Sequence, residues 1–181
     1  MSDFNALILA GGKSLRMGTE KHALIYKGAT LLEHTQKLIA SLSPKNVYIS
    51  GKDIDGAIPD VFKNKGPIAG IHAVSKRTPD SLLVVPIDMP LIQPQDLMRL
   101  VQAGFSHARS CVFEGTPIPC FLHTDSDFVA IAENMAMANL RARDRSLFSL
   151  MRRLDALQLP ISDANLANVN TPEEFDNLPK E

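Results

Sequence analysis

Short unbroken apolar runs alternate along the chain with stretches in which apolar residues recur every three or four positions. Residues 6–10, Ala-Leu-Ile-Leu-Ala, form such a run and stop at Gly11-Gly12, the pattern of a strand buried on both faces and closed by a turn. Residues 46–50 end in the same way at Gly51, and residues 81–86, Ser-Leu-Leu-Val-Val-Pro, break at Ile87-Asp88-Met89-Pro90. Between them, Leu31, Leu32, Leu38, Ile39 and Leu42 fall at helical spacing, and residues 68–75 follow Pro67, a residue suited to a first helical turn. The order is strand, helix, strand, helix, strand.

Connections of that length are too long for hairpins, so the alternation predicts a parallel sheet with helices on both faces, a three-layer α/β/α, Rossmann-like architecture. A helix over 94–103 continues it. Beyond Ser110 the rhythm changes: residues 110–114 and 119–122 read as strands separated by Gly115-Thr116-Pro117, predicting a small antiparallel part in the second half. Helices are expected over 125–140 and 145–154. Thr171-Pro172-Glu173-Glu174 places a cap, a first-turn proline and a capping-box glutamate at the start of a last helix. No internal repeat or Gly/Ser linker interrupts the chain, so a single domain over 1–181 is expected.

Composition adds exclusions. With 19 basic against 20 acidic residues and a net charge of -1, the chain lacks the positive field that a nucleic acid or an anionic membrane surface requires. Its apolar runs fall far short of the roughly 18 residues that span a bilayer. The N-terminal Met1-Ser2-Asp3-Phe4-Asn5 carries an acid where a signal peptide has basic residues. Cys111 and Cys120 fit neither a redox pair nor a zinc half-site, and both are expected to pack as small hydrophobes. These features predict a cytoplasmic location.

In an open parallel sheet ligands gather outside the carboxyl ends of the strands, where the winding reverses, so the loops after strands carry most weight. The first, residues 9–21, combines side-chain-poor backbone at Gly11, Gly12 and Gly18 with cations at Lys13, Arg16 and Lys21. Glycine lets backbone N–H groups approach an anion, and the cations offset the charge of a triphosphate. Arg16 and Met17 stand where a Walker A motif needs its second glycine, and no G-x-G-x-x-G occurs. Asp88, held between Pro86 and Pro90, sits just past the most hydrophobic strand. One carboxylate plus phosphate oxygens is a donor set that Mg2+ accepts. Asp60 precedes Lys63, Lys65 and Gly66-Pro67-Ile68-Ala69-Gly70, which reads equally as a surface for a base or ribose and as a close-packed loop with a surface aspartate. For Asn168 and Asn170, ligand contact and turn chemistry are open alternatives, while capping accounts for Thr171 and Glu174. The histidines, His22, His34, His72, His107 and His123, form no metal-ligand spacing, and no nucleophile elbow is present.

The string Leu9-Ala-Gly-Gly-Lys-Ser-Leu-Arg-Met-Gly-Thr-Glu-Lys21 resembles the signature loop of the nucleotidyltransferases that share a Rossmann-like, glycosyltransferase-A-type fold. Gly66-Pro-Ile-Ala-Gly70, Pro86-Ile-Asp-Met-Pro90 and Asn168-Val-Asn-Thr-Pro-Glu-Glu174 match in the same order, and the Gly12 form of the loop with the Asn-Val-Asn-Thr-Pro ending is most similar to the molybdenum cofactor guanylyltransferases. That resemblance implies that Leu9, Ala10, Gly11, Gly12 and Lys13 line the nucleotide site, that Lys21 contacts the phosphates of GTP, and that Asp60 joins the nucleotide site. It also implies that Asp88 binds Mg2+ and that Asn168 and Asn170 face the pterin substrate or the metal. Glu20, Ser50, Ile87 and Met89 depart from the family's usual Asp, Asn, Cys and Thr.

The implied reaction joins the terminal phosphate of molybdopterin to the α-phosphate of GTP and releases pyrophosphate. It would use Mg2+ as cofactor and Lys21, Arg16 and Asp88 as catalytic groups, with transient contact to molybdopterin-delivering or molybdoenzyme-maturation proteins. Two rival readings keep the same residues: a related nucleotidyltransferase that uses CTP or another phosphorylated acceptor, and a nucleotide-binding module without turnover.

Overall fold

The computed structural model describes residues 3–11, 21–52, 54–58, 66–138 and 140–179. Strand β1 (Phe4–Leu9) is followed by a small hairpin, β2 (Ile25–Tyr26) and β3 (Ala29–Thr30), and by helix α1 (Leu31–Ala40). Strand β4 (Val47–Ser50), helix α2 (Pro67–Ser75), strand β5 (Ser81–Pro86) and helix α3 (Pro94–His107) complete the regular half. Strands β6 (Cys111–Phe113) and β7 (Cys120–Leu122), helices α4 (Ser126–Met137) and α5 (Leu147–Arg153), strand β8 (Leu157–Leu159) and helix α6 (Pro172–Asp176) follow.

The main sheet has the order β4-β1-β5-β7-β6-β8. Strand β1 pairs in parallel with β4 and β5, and β6 with β8; β7 runs antiparallel to both β5 and β6. The expected parallel sheet with a small antiparallel part is therefore what forms. The chain steps from β1 to one side at β4 and then to the other at β5, so the winding reverses beside β1. The carboxyl ends of β1 and β5 flank that reversal.

Both faces of the central strands are covered, which explains their continuous apolar runs. Leu7, Leu9, Leu82, Val84, Val112, Cys120 and Leu122 point to one layer, where Ile68 and Ile71 of α2, Phe128 and Met135 of α4 and Leu150 of α5 pack. Ala6, Ile8, Leu83, Val85, Cys111 and Phe121 point to the other, against Ile39 of α1 and Leu97, Leu100 and Val101 of α3. Alternate residues of each strand thus divide between two cores, as the pleat requires.

Helix starts follow local chemistry. Thr30 caps α1 in a full capping box with Glu33, and Asp125 caps α4 by accepting from Phe128 N at 2.8 Å. Helix α4 ends at Met137, short of the periodicity that suggested 140. The last apolar-spaced segment begins with a 3-10 turn, Ala142–Arg145, before α5. Strand β8 and the β2–β3 hairpin are too short to show in the apolar pattern.

Helix α3 approaches β7 at Gly104, where an added Cβ would lie 2.0 Å from Cδ1 of the fully buried Phe121. Gly104→Ala therefore overpacks this contact by about 3 kcal/mol, against a gain in helix propensity of about 1 kcal/mol. A net loss of ~2 kcal/mol lowers the melting midpoint by roughly 4–8 °C in a calorimetric scan, and an unchanged midpoint would contradict the packing described.

Cys111 and Cys120 occupy neighbouring strands on opposite faces of the sheet, so each packs in its own core. Burial pushes the Cys111 thiol up to about 11 and raises that of Cys120 further. The thiolate is the reactive form, so at pH 8 the native protein should take up almost no iodoacetamide by mass spectrometry, and both thiols should react once urea unfolds it. Rapid native labelling would refute this burial.

Candidate active site

At the winding reversal the chain offers backbone in place of side chains. Strand β1 runs out through Leu9 and Ala10, both buried, to the exposed Gly11. Ala10 N donates to Ser50 O at 2.8 Å, which extends the β1–β4 ladder by one residue, and Ile87 N donates to Leu9 O at 3.2 Å on the β5 side. A Cβ on Gly11 would stand 3.6 Å from the Cα of Gly51, so two glycine-bearing strand ends lie side by side at this edge. Gly12, Lys13, Arg16 and Asp60, which the sequence assigns to the same site, lie outside the described residues.

Helix α2 starts beside this edge, at Gly66-Pro67, with Gly66 in a positive-φ conformation (68°) that suits glycine. Its Gly70 sits directly on Ser50: an added Cβ would be 2.4 Å from Ser50 Oγ. Ser50, 7% exposed, thus packs into α2. That contact explains why glycine stands at position 70, and it keeps the Ser50 side chain within the β4–α2 interface.

Three sequence-predicted residues meet at one point. Lys21 Nζ lies 3.0 Å from Asp88 Oδ2 and donates to Asn170 Oδ1 at 2.8 Å. The side chains of Lys21 and Asp88 are 16% and 24% exposed, a partly desolvated ion pair open to an incoming ligand. Lys21 opens a 3-10 turn, Lys21–Ala23, at the end of the glycine-rich loop, and Asp88 follows β5. Asn170 precedes α6. The exposed Asn168 enters no hydrogen bond among the described residues, so the structure separates two asparagines that the sequence left equivalent.

A third apolar cluster holds these segments together. Tyr26 and Leu31, next to the Lys21 turn, pack with Val169 and Leu178 from the C-terminal segment, and Leu91 and Phe175 join them. Tyr26 Oη donates to Pro179 O at 2.9 Å, and Val169 N donates to the backbone carbonyl of Asp88 at 2.8 Å. Asp88 itself lies between Ile87 and Met89, each 3% exposed and packed in the core that α1 and α3 cover. The family departures at 87 and 89 therefore fall on the core side, away from the carboxylate.

The donor chemistry suits a hard divalent ion. The carboxylate of Asp88 and the amide oxygen of Asn170 already converge on one positive charge, the ammonium of Lys21. No group of three or more His, Cys, Asp or Glu placed to hold a metal occurs among the described residues. Asp88 and Asn170 could therefore hold an ion only together with oxygens of a substrate or of water. A groove of about 770 Å³ lies elsewhere, between α5 and β8, and is lined by Thr116, Arg143, Phe148, Arg152 and Gln158. No helix among the described residues is long and apolar enough to cross a membrane.

Known proteins resemble the chain in sequence and fold. A molybdenum cofactor guanylyltransferase from Xanthomonas euvesicatoria is 34% identical to the chain over 181 residues, covering 97% of this chain and 94% of the relative. The crystal structure of molybdopterin-guanine dinucleotide biosynthesis protein A from Archaeoglobus fulgidus superposes with a TM-score of 0.76 at 21% identity, covering 95% of each chain. A Mycobacterium tuberculosis protein solved in complex with manganese shares the fold at a TM-score of 0.69 and 16% identity, covering 97% of each chain. Residues 6–157 match the family profile of the MobA-like NTP transferase domain, and on that match together with the end-to-end likeness to the Xanthomonas enzyme, the chain belongs to the MobA-like NTP transferase family.

Proposed function

We propose that the protein transfers the GMP unit of GTP to the terminal phosphate of molybdopterin, forming molybdopterin guanine dinucleotide and releasing pyrophosphate. The observation that carries this reading is the meeting of Lys21, Asp88 and Asn170 beside the side-chain-poor end of β1. A polyphosphate laid along Leu9, Ala10 and Gly11 would reach that cluster. Gly12, Lys13, Arg16 and Asp60 complete the nucleotide site in this reading, and Asn170, with Asn168 beside it, faces the acceptor.

The acceptor is a phosphate monoester whose second pKa is near ~6, so it is mostly dianionic at neutral pH and needs no general base. One of its oxygens attacks the α-phosphorus of GTP, the bond from that phosphorus to the bridging oxygen breaks, and the electron pair leaves with pyrophosphate. The protein's task is alignment and charge neutralisation. Lys21 directs an ammonium toward the phosphates, and Asn170 fixes the direction of that ammonium. Arg16 adds a second cation from the loop. Asp88 would hold Mg2+, which when bound would offset the charge of the phosphate oxygens.

Purified protein given molybdopterin, magnesium and each of GTP, CTP, ATP and UTP in turn should release pyrophosphate chiefly with GTP. Chelation should abolish release, and added Mg2+ should restore it. A preference for CTP would replace this reading with the related nucleotidyltransferase, and absence of turnover with every nucleotide would leave a binding module. Lys21→Ala removes one electrostatic contact to the reacting phosphates and should lower kcat by ~10² to 10³. A variant that turns over at the wild-type rate would remove Lys21 from the mechanism.

A further inference from the structure

Helix α6 opens with a capping box in which Thr171 Oγ1 accepts from Glu174 N at 3.2 Å and Glu174 Oε2 accepts from Thr171 N at 3.0 Å. That pair of bonds is what starting a helix requires. Glu174 does more. The same Oε2 accepts a shorter bond, 2.6 Å, from the backbone N–H of Asn170, one residue before the cap. Asn170 is the residue whose side-chain oxygen receives the Lys21 ammonium.

The strip 169–171 is thereby pinned at consecutive peptides. Val169 N–H is fixed on the carbonyl of Asp88, and the N–H groups of Asn170 and Thr171 are both fixed on the carboxylate of Glu174. With the backbone on either side of its Cα tethered, the Cα–Cβ bond of Asn170 has a fixed direction, and from it the amide oxygen reaches Lys21 Nζ. Helix α6 is five residues long and has no fully buried residue, so the second bond to Glu174 does not serve to seat a core-facing helix. The bonds of a carboxylate that accepts two N–H groups are charge-assisted.

We propose that Glu174 is a positioning residue for the transfer reaction, acting through Asn170 to set the direction of the Lys21 ammonium against Asp88. This rests on the function proposed above, and it gives the second glutamate of the Asn-Val-Asn-Thr-Pro-Glu-Glu segment a task beyond capping. Losing an outer partner of this kind typically costs about 10- to 100-fold in activity.

The test pairs kinetics with a measurement that needs no turnover. Glu174→Ala and Asn170→Ala should each lower kcat about 10- to 100-fold, and the double variant should fall no further than the worse single one, because both act on one contact. Glu174→Gln keeps an acceptor oxygen and should recover most of the loss, while Glu173→Ala on the same helix should match wild type. Independently, acetylation of Lys21 by acetic anhydride, followed by mass spectrometry with the exposed Lys37 as internal standard, should speed up several-fold in Glu174→Ala and in Asn170→Ala. The proposal is overturned if the double variant shows the product of the two single losses. It is equally overturned if Lys21 acetylation in Glu174→Ala stays at the wild-type rate, or if Glu174→Ala lowers only the melting midpoint. Should wild type show no transfer, the functional reading fails by itself, and the acetylation rates still decide whether Glu174 governs Lys21.

Discussion

The ammonium of Lys21 between Asp88 and Asn170 is the contact on which the functional architecture depends, and it joins positions 67 and 149 residues apart in the chain. A partly desolvated ion pair loses much of its Coulombic gain to the cost of taking two charges out of water, and what remains is too little to draw such distant segments together. The order of cause is therefore the reverse. Tyr26, Leu31, Val169 and Leu178 bury apolar surface together, the Val169 N–H closes on Asp88, and the charged groups are delivered to one another as a result. Packing sets the geometry, and electrostatics make use of it.

The sheet supplies the other half of the constraint. Because the winding reverses beside β1, the helices that follow β1 and β4 cover opposite faces, and the carboxyl ends of β1 and β5 lie at that reversal. Helix α2 is pressed against the end of β4 by the Gly70–Ser50 contact, and Ala10 continues the ladder to Ser50. The edge at Gly11 and Gly51 is therefore short of side chains. With Ser50 engaged against Gly70, this edge presents mainly the backbone groups of the strand ends. A site for charge neutralisation needs little else. No carboxylate or imidazole cluster accompanies Asp88 among the described residues, and a reaction with a dianionic nucleophile does not call for one.

Much of this was legible in the chain because it is written locally. The run at 81–86 coincides with β5, Pro67 starts α2, and Thr171-Pro172 starts α6, since burial on both faces, a fixed φ and a capping hydroxyl each leave a mark within a few residues. What the chain did not reveal is set by pairing at a distance. Leu157–Leu159 becomes a strand only because β6 offers it a parallel edge, and three residues carry no period. The hairpin Ile25–Tyr26 with Ala29–Thr30 is equally short. Within the site, Lys21 and Asp88 could be named from the residues around them, but nothing local distinguishes Asn168 from Asn170. Their difference arises when Val169 turns inward to the apolar cluster and is 1% exposed, which sends its two neighbours outward along different paths.

The same reasoning explains why a terminal segment with so little core of its own is tied down so densely. Helix α6 buries no residue fully, and elements of that kind sit at the low end of local stability and open readily. An asparagine on such an element would orient a lysine only part of the time. The bonds from Val169 to Asp88, from Asn170 and Thr171 to Glu174, and from Tyr26 to Pro179 each tether the segment to the site or to itself, within eleven residues of chain. Opening the segment breaks these bonds and uncovers Val169 and Leu178 together, so the cost of moving Asn170 is set by the whole assembly and not by its single bond to Lys21.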